Sequence, residues 1–155
     1  MIRRAEVRDI YELERLLRQV NNVHAKGRPD LFKKNRTKYS SEELLRILIN
    51  DEKPVFVLTE DDFHIKGYAF CIIENYKGDH NMVDRKTLYI DDICVDEACR
   101  RQHVGEFLYR HVVSYARENG FYNITLNVWS CNPGARRFYE KMGLIPYKTG
   151  MEVIL

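Results

Sequence analysis

Two acidic residues, Asp91 and Asp92, sit inside an otherwise apolar run at residues 87–95. Carboxylates rarely enter such a setting without a partner or a reaction to serve. Each can act as a general base, cap a loop or bind a cation. Successive residues of a strand face opposite sides, so at most one of the two should enter a cleft unless a bulge intervenes. A second chemical stretch follows at once, because Arg100, Arg101, Gln102, His103, Val104, Gly105 and Glu106 lie between that run and a helical pattern reaching about Arg117. A strand, a polar loop and a helix N-terminus in succession aim several backbone N–H groups and a positive dipole end at one place, which suits a phosphate or pyrophosphate. The two arginines supply matching charge, and Gly105 leaves room for an anion to approach the backbone. Further on, Tyr139 lies at the edge of the apolar stripe Ala135, Phe138 and Met142, so its hydroxyl can be directed into a cleft.

Holding these groups in place requires strands and helices, which the chain supplies in order. Residues 2–6 predict a first strand, and Asp9 a cap for a helix in which Ile10, Leu13, Leu16, Leu17 and Val20 recur at helical spacing. The polar stretch 21–40, broken by Gly27 and Pro29 and anchored by Leu31 and Phe32, predicts a loop too long to be a mere connection. Ser40 or Ser41 caps a second helix through Asn50, with Leu44, Leu45, Leu48 and Ile49 inward and Glu43 near the capping-box position. Residues 55–58 and 65–73 predict an antiparallel hairpin about the acidic turn Glu60, Asp61 and Asp62, and residues 76–86 a mobile hairpin tip.

After the strand at 87–95, a helix buries Val104, Leu108, Val112, Tyr115 and Ala116 and stops at Asn119-Gly120. Residues 122–128 then alternate, giving a strand-helix-strand unit whose two strands should be parallel. Asn132 is a natural N-cap, Pro133 a natural first helical residue and Gly143 a terminator. Residues 144–147 and 151–155 predict a closing hairpin about Lys148, Thr149 and Gly150. The order predicts an α/β fold: a mixed sheet with a central parallel strand pair, flanked by helices on both faces. Residues 1–155 read as a single domain.

Composition narrows the function. With 45% hydrophobic residues the chain suits a globular core, and neither an apolar run of about 18 residues nor a signal-peptide pattern is present, so the reading is a cytoplasmic protein without a membrane partner. The four cysteines form no C-x-x-C pair, and with five histidines they predict no metal site. A net charge of +2 gives no general pull toward nucleic acid; the arginine pairs lack any groove-reading or stacking motif.

Arg100-x-x-His103-x-Gly105 resembles the R/Q-x-x-G-x-G/A acetyl-CoA loop of the GNAT superfamily of N-acetyltransferases, with His103 in place of the first glycine. Leu126-Asn127-Val128, followed by the segment from Asn132 through Phe138-Tyr139-Glu140-Lys141-Met142-Gly143-Leu144, is similar to the family's L-x-V…N-x-x-A-x-x-F-Y-x-K-x-G-F pattern. The likeness covers roughly residues 87–147. Tyr89-Ile90-Asp91-Asp92-Ile93-Cys94-Val95 resembles the matching strand of diamine and polyamine acetyltransferases, with Asp91 where the family has Glu.

The resemblance implies acetyl-CoA as cosubstrate and roles for individual residues. Tyr139 would protonate the coenzyme A thiolate. Asp91 would act as base through water, and Asp92 would contact the acceptor. The strand would bulge and splay from its parallel neighbour, leaving amides near Ile93, Cys94 and Val95 to bind the thioester carbonyl and pantetheine. Residues 100–106 would hold the pyrophosphate, with His103 either donating to it or crowding the loop. Asn132 would bind the pantetheine arm or cap its helix, and Arg136 would reach toward the phosphate end. The segment after the first helix would wall the acceptor site, making His24, Asp30 and Phe32 candidate contacts. Cys94 has no assignable His or Asn partner, which argues for direct transfer over an acyl-enzyme.

The leading expectation is therefore acetyl transfer to a primary amine on a small polyamine-like molecule. A protein N-terminal or lysine acceptor, and a non-catalytic coenzyme A-binding module, are the alternatives. A homodimer could form by pairing of residues 151–155.

Overall fold

The computed structural model describes every residue except Asp62; that position of the predicted acidic turn lies outside the described residues. Five strands, β1 (Ile2–Arg4), β2 (Val55–Thr59), β3 (Ile65–Tyr76), β4 (Arg85–Val95) and β5 (Asn123–Leu126), lie side by side in that order among the described residues. The first four are mutually antiparallel, whereas β4 and β5 are parallel. Helix α3 (Val104–Glu118) makes the crossover that a parallel pair requires.

Helices α1 (Ile10–Gly27) and α2 (Ser41–Leu48) bury Leu13, Leu16, Leu17, Leu44 and Ile47 against Val55, Val57, Tyr68 and Phe70 on one sheet face. On the other face α3 packs Val112 and Ala116 against Phe56, Ala69, Leu88 and Ile90. The sheet is thus covered on both sides, as its apolar strands demand.

The local signals act as predicted at α2, where Ser40 and Glu43 form a reciprocal capping box. At α1 they differ. Asp9 occupies the N-cap position, but its carboxylate is taken by Arg3 at 2.7 Å and by the backbone N–H of Glu6 at 2.7 Å. The helix also runs to Gly27, past the predicted end at Val20, which makes His24 helical and confines the loop to residues 28–40. Buried Asn21 explains the extension: its amide donates to the Lys33 carbonyl at 2.7 Å, so a polar residue that reads as loop fastens the loop onto the helix.

Three further expectations fail. Leu45 and Ile49, expected inward on a helix reaching Asn50, are exposed; α2 ends at Leu48 and buries Leu44 and Ile47, which share one helical face. β5 stops at Leu126 instead of continuing to Val128, and residues 144–155 form neither a hairpin nor a strand among the described residues.

The contact between α3 and the sheet leaves no space at Gly67. A Cβ there would lie 2.7 Å from the Cys94 carbonyl oxygen and 2.9 Å from Val104 Cγ1. Gly67→Ala is expected to destabilise the protein by about 1–3 kcal/mol. Gly134→Ala, where the nearest atom is 3.8 Å away inside a helix, should be neutral or stabilising by up to ~1 kcal/mol. Urea titration of both variants measures the contrast.

Candidate active site

β4 is bulged at the acidic pair. Phe70 of β3 faces Asp92 while Cys71 faces Ile90, so Asp91 is an extra residue without a cross-strand partner. The bulge turns both carboxylates to the α1/α2 side of the sheet. Asp91 accepts from the Tyr39 hydroxyl at 2.6 Å and from Lys38 Nζ at 2.7 Å. Asp92 accepts from the buried Tyr68 hydroxyl at 2.6 Å. Tyr39, Phe70 and Tyr68 form a continuous aromatic contact behind the pair, with centroid spacings of 5.8 and 4.9 Å.

The environments of the two acids are unequal. Burial, with a smaller contribution from neighbouring Asp91, pushes Asp92 up to about 6 against the opposing Tyr68 hydrogen bond and Lys38 charge. Asp91 instead has a cation and a hydroxyl on its two oxygens. Asp92, the residue read from sequence as an acceptor contact, therefore offers a proton acceptor near neutral pH.

Next to the pair the sheet opens. β4 pairs with β5 only from Thr87↔Asn123 to Ile90↔Leu126, whereas its ladder with β3 continues to Val95. Beyond Ile90 the β5-facing edge of β4, through Ile93, Cys94 and Val95, has no strand partner among the described residues. The Cys94 thiol itself is buried toward α1, with Sγ 3.6 Å from the Leu16 carbonyl, and burial pushes its pKa up, so it stays a thiol. Any role of this edge belongs to backbone donors.

The loop after β4 is fastened from behind. Asp96 accepts from the Ala98 N–H at 3.1 Å and from Arg15 at 2.6 Å; burial alone would raise its pKa, but these two partners hold it low. Arg101 and His103 both take left-handed backbone, with φ of 65° and 58°. His103 thus occupies the conformation that glycine takes freely at the matching place in the family's loop. It is the N-cap of α3 yet makes no side-chain cap, so the first N–H groups of that helix stay available to an anion. Arg100, Arg101 and Gln102 are exposed. Glu106 is held by Arg110 at 2.8 Å and His103 at 3.3 Å, and Val104 is core; both can offer only backbone. Gly105 is helical, and a Cβ on it would make ordinary contact, 3.4 Å from the Phe138 ring of helix α4 (Pro133–Lys141) and from Val95 of β4.

Helix α4 brings Tyr139 into the same opening. Asn132 caps it, its Oδ1 accepting from the Ala135 N–H at 3.2 Å. Burial and then the charge of Asp92 raise the Tyr139 pKa, which keeps the phenol protonated. Arg136 is paired with Glu140 at 2.8 Å on the helix surface. The opening is a hollow of about 2130 Å³ that Asp91, Asp92, Ile93, Asn132, Arg136 and Tyr139 all line.

Its far wall is aromatic. His24, Phe32 and Trp129 touch in sequence, tilted at 5.1 Å and edge-to-face at 5.3 Å, and burial together with the Lys38 charge lowers the His24 pKa, leaving it neutral at pH 7. Asp30 lies outside the hollow, paired with Arg28 at 2.8 Å. Lys38, Tyr39, Tyr68 and Trp129 were not identified from sequence, since single polar or aromatic residues far from the acidic pair carry no pattern that links them to it.

Comparison with known proteins accounts for this arrangement. The model of the acetyltransferase (GNAT) family matches residues 9–144. The chain belongs to the GNAT family. Glucosamine 6-phosphate N-acetyltransferase 1 of Oryza sativa subsp. japonica is 35% identical over 57 residues, 37% of this chain and 33% of that protein, so the chain spans only a third of that relative's length. The crystal structure of a tetramutant of the BH1408 protein from Bacillus halodurans is 32% identical, superposes with a TM-score of 0.95, and covers 100% of this chain and 99% of that one. An aminoglycoside acetyltransferase from an uncultured soil metagenomic sample, crystallised with trehalose, shares the fold at 22% identity and a TM-score of 0.74, covering 100% of this chain and 94% of that one.

GNAT acetyltransferases use acetyl-CoA, and the residues here fit it: an uncapped helix N-terminus behind left-handed loop residues for the pyrophosphate, and an unpaired strand edge for the pantetheine amides. Among the described residues, no helix is long and apolar enough to cross a membrane.

The left-handed conformation at residue 103 sets a test. His103→Val, which places a β-branched residue at positive φ, should lower stability by about 1–2 kcal/mol, while His103→Gly should stay within ~1 kcal/mol of the parent. Thermal denaturation with and without coenzyme A measures this, and the glycine variant should retain the coenzyme-induced rise in Tm.

Proposed function

We propose that this GNAT protein transfers the acetyl group of acetyl-CoA to the primary amine of a small cationic acceptor, by direct attack within a ternary complex, using residues 1–155 as one domain. The observation that carries the reading is the bulged pair Asp91 and Asp92 facing an opening also lined by Tyr139.

Acetyl-CoA supplies an activated acyl group as a thioester. Asp92 takes the proton that the attacking ammonium must lose, since its raised pKa lies near working pH. Backbone N–H groups on the open edge of β4 stabilise the developing oxyanion. Tyr139, protonated and lining the same hollow, returns a proton to the departing sulfur.

Asp91 holds positive charge. Lys38 Nζ at 2.7 Å shows that this carboxylate takes an ammonium, and a cationic, polyamine-like acceptor takes that place by displacing the half-exposed Lys38. The aromatic wall of His24, Phe32 and Trp129 gives such an acceptor apolar and cation–π surface.

The ionisation of Asp92 fixes the pH dependence. Deprotonation with a pKa of about 6 makes the base available, so kcat/KM should rise with pH through about 6 and then level off. Asp92→Asn should abolish that limb and reduce kcat by about 10²–10⁴-fold, whereas Asp91→Asn should keep the limb and raise KM for a cationic amine. An Asp91→Asn variant that loses the limb while Asp92→Asn retains it would return the base to Asp91.

Tyr139→Phe should lower kcat by a similar factor of about 10² or more while acetyl-CoA still raises the melting temperature. Thiol release measured against polyamines, an amino sugar, amino acids and N-terminal peptides identifies the acceptor. Binding of acetyl-CoA without turnover on any of them would favour the non-catalytic module.

A further inference from the structure

The hollow that faces the acid pair already contains a primary amine of the chain itself. Lys38 lies on the loop after α1, and its Nζ donates to Asp91 Oδ1 at 2.7 Å. Lys38 and Lys148 are the lysines that line the hollow, and of these Lys38 alone touches the acid pair among the described residues. Lys148 lies instead over the Tyr147 ring, at 5.5 Å. The Lys38 charge also lowers the pKa of Asp92 and of His24, so the ammonium sits within electrostatic reach of both the acid pair and the aromatic wall. That is the place assigned above to the acceptor.

The loop holds the lysine there. Asn21 fastens it through the Lys33 carbonyl at 2.7 Å, and Asn22 accepts from the Asn35 N–H at 2.8 Å. Thr37 closes the chain around the lysine by donating to the Tyr39 carbonyl at 2.8 Å, and the Tyr39 hydroxyl donates to the other oxygen of Asp91 at 2.6 Å. The ammonium lies 5.4 Å from the centre of the Tyr39 ring. The Asp91 side chain is 10% exposed and that of Lys38 46%, so the amine is gripped on one side and open on the other. A half-exposed ion pair adds little to stability. An amine oriented against an acid beside the transfer site, by contrast, has already met the positional demand of the reaction.

We infer that Lys38 is a self-acetylation site: with acetyl-CoA bound and no external amine present, the chain transfers the acetyl group to its own Lys38 Nζ. The inference rests on the acetyl-transfer reading above. One proton of the ammonium passes to the acid pair and on to water. The nitrogen lone pair forms the C–N bond to the thioester carbon, the C–S bond breaks, and the sulfur takes its proton from Tyr139, which regains one from the acylated nitrogen. The products are the Nζ-acetyl amide, the free thiol of coenzyme A and a proton in solution. The amide is neutral and no longer pairs with Asp91, so the reaction ends at a single modification and clears the internal cation from the acceptor position.

The test incubates the full chain with isotopically labelled acetyl-CoA and no amine, and follows every lysine by peptide mass spectrometry. Lys38 should be labelled faster than every other lysine, with a rate constant independent of protein concentration because amine and site belong to one chain. Tyr139→Phe should slow the labelling by about 10²-fold or more. Lys38→Arg keeps a cation for Asp91 and should lose the stoichiometric release of thiol seen without amine. Turnover of an external amine with Lys38 left unlabelled overturns the inference and leaves the acetyl-transfer reading standing. Labelled Lys38 without turnover of any external amine supports the inference and removes the small-amine acceptor from that reading. Bound acetyl-CoA, seen as a raised melting temperature, with neither reaction overturns both. Label spread evenly over surface lysines, or undiminished in Tyr139→Phe, is uncatalysed chemistry and overturns the inference as well.

Discussion

Over its first half β4 is paired on both sides, and over its second half on one side only; the rest of the site depends on that loss of a ladder. The ladder to β5 ends at Ile90↔Leu126 while the ladder to β3 runs on to Val95. A strand gripped on both edges has no donors to spare, and one gripped on neither would not hold its shape. With one ladder retained, the β4 edge is rigid and its outward amides are still unclaimed. The bulge at Asp91 falls just where the second ladder ends, and a bulge both increases twist and re-aims side chains. The same local event therefore opens the sheet, frees the edge and puts two carboxylates on one face.

Two acids on one face would repel each other if their surroundings were equal. Here they differ. Asp91 meets a lysine and a tyrosine hydroxyl, Asp92 a buried tyrosine hydroxyl among aromatic rings. That asymmetry gives Asp91 a lysine and a hydroxyl as bound partners while Asp92 titrates near pH 6. Tyr139 feels the same buried charge, and it stays protonated because ionising it beside Asp92 would cost both desolvation and repulsion. In the proposed mechanism, base and acid are thus set in opposite senses by one buried pair. The supporting residues come from distant parts of the chain: Lys38 and Tyr39 from the loop after α1, Tyr68 from β3 and Tyr139 from α4.

The fold was legible where local chemistry decides it. Ser40 with Glu43, Asn132 with Pro133, and Gly120 and Gly143, both at positive φ, mark element ends because a cap or a left-handed turn depends on neighbours within a few residues. The loop from Arg100 to Gly105 was legible for the same reason. What sequence did not reveal depends on tertiary partners. Asn21 reads as loop, and only its bond to Lys33 makes it helical. The bulge at Asp91 is a property of the pairing between two strands, so alternation within β4 is silent about it, and the expectation of a bulge rested on the family resemblance alone. The division of labour between Asp91 and Asp92 follows from Lys38, Tyr39 and Tyr68, none of which lies near them in sequence. The missing hairpin at 144–155 marks another limit, since alternating hydrophobicity suits a strand without showing that a partner strand is there to pair with.

Two-substrate initial-rate kinetics test the central claim, direct transfer within one complex, most directly. With acetyl-CoA varied at several fixed concentrations of the best amine, the account predicts intersecting double-reciprocal lines and no acetylated cysteine when the amine is omitted. Parallel lines, together with an acetyl group found on Cys94 by peptide mass spectrometry, would contradict it, because a ping-pong route through that thiol is what its burial and raised pKa exclude.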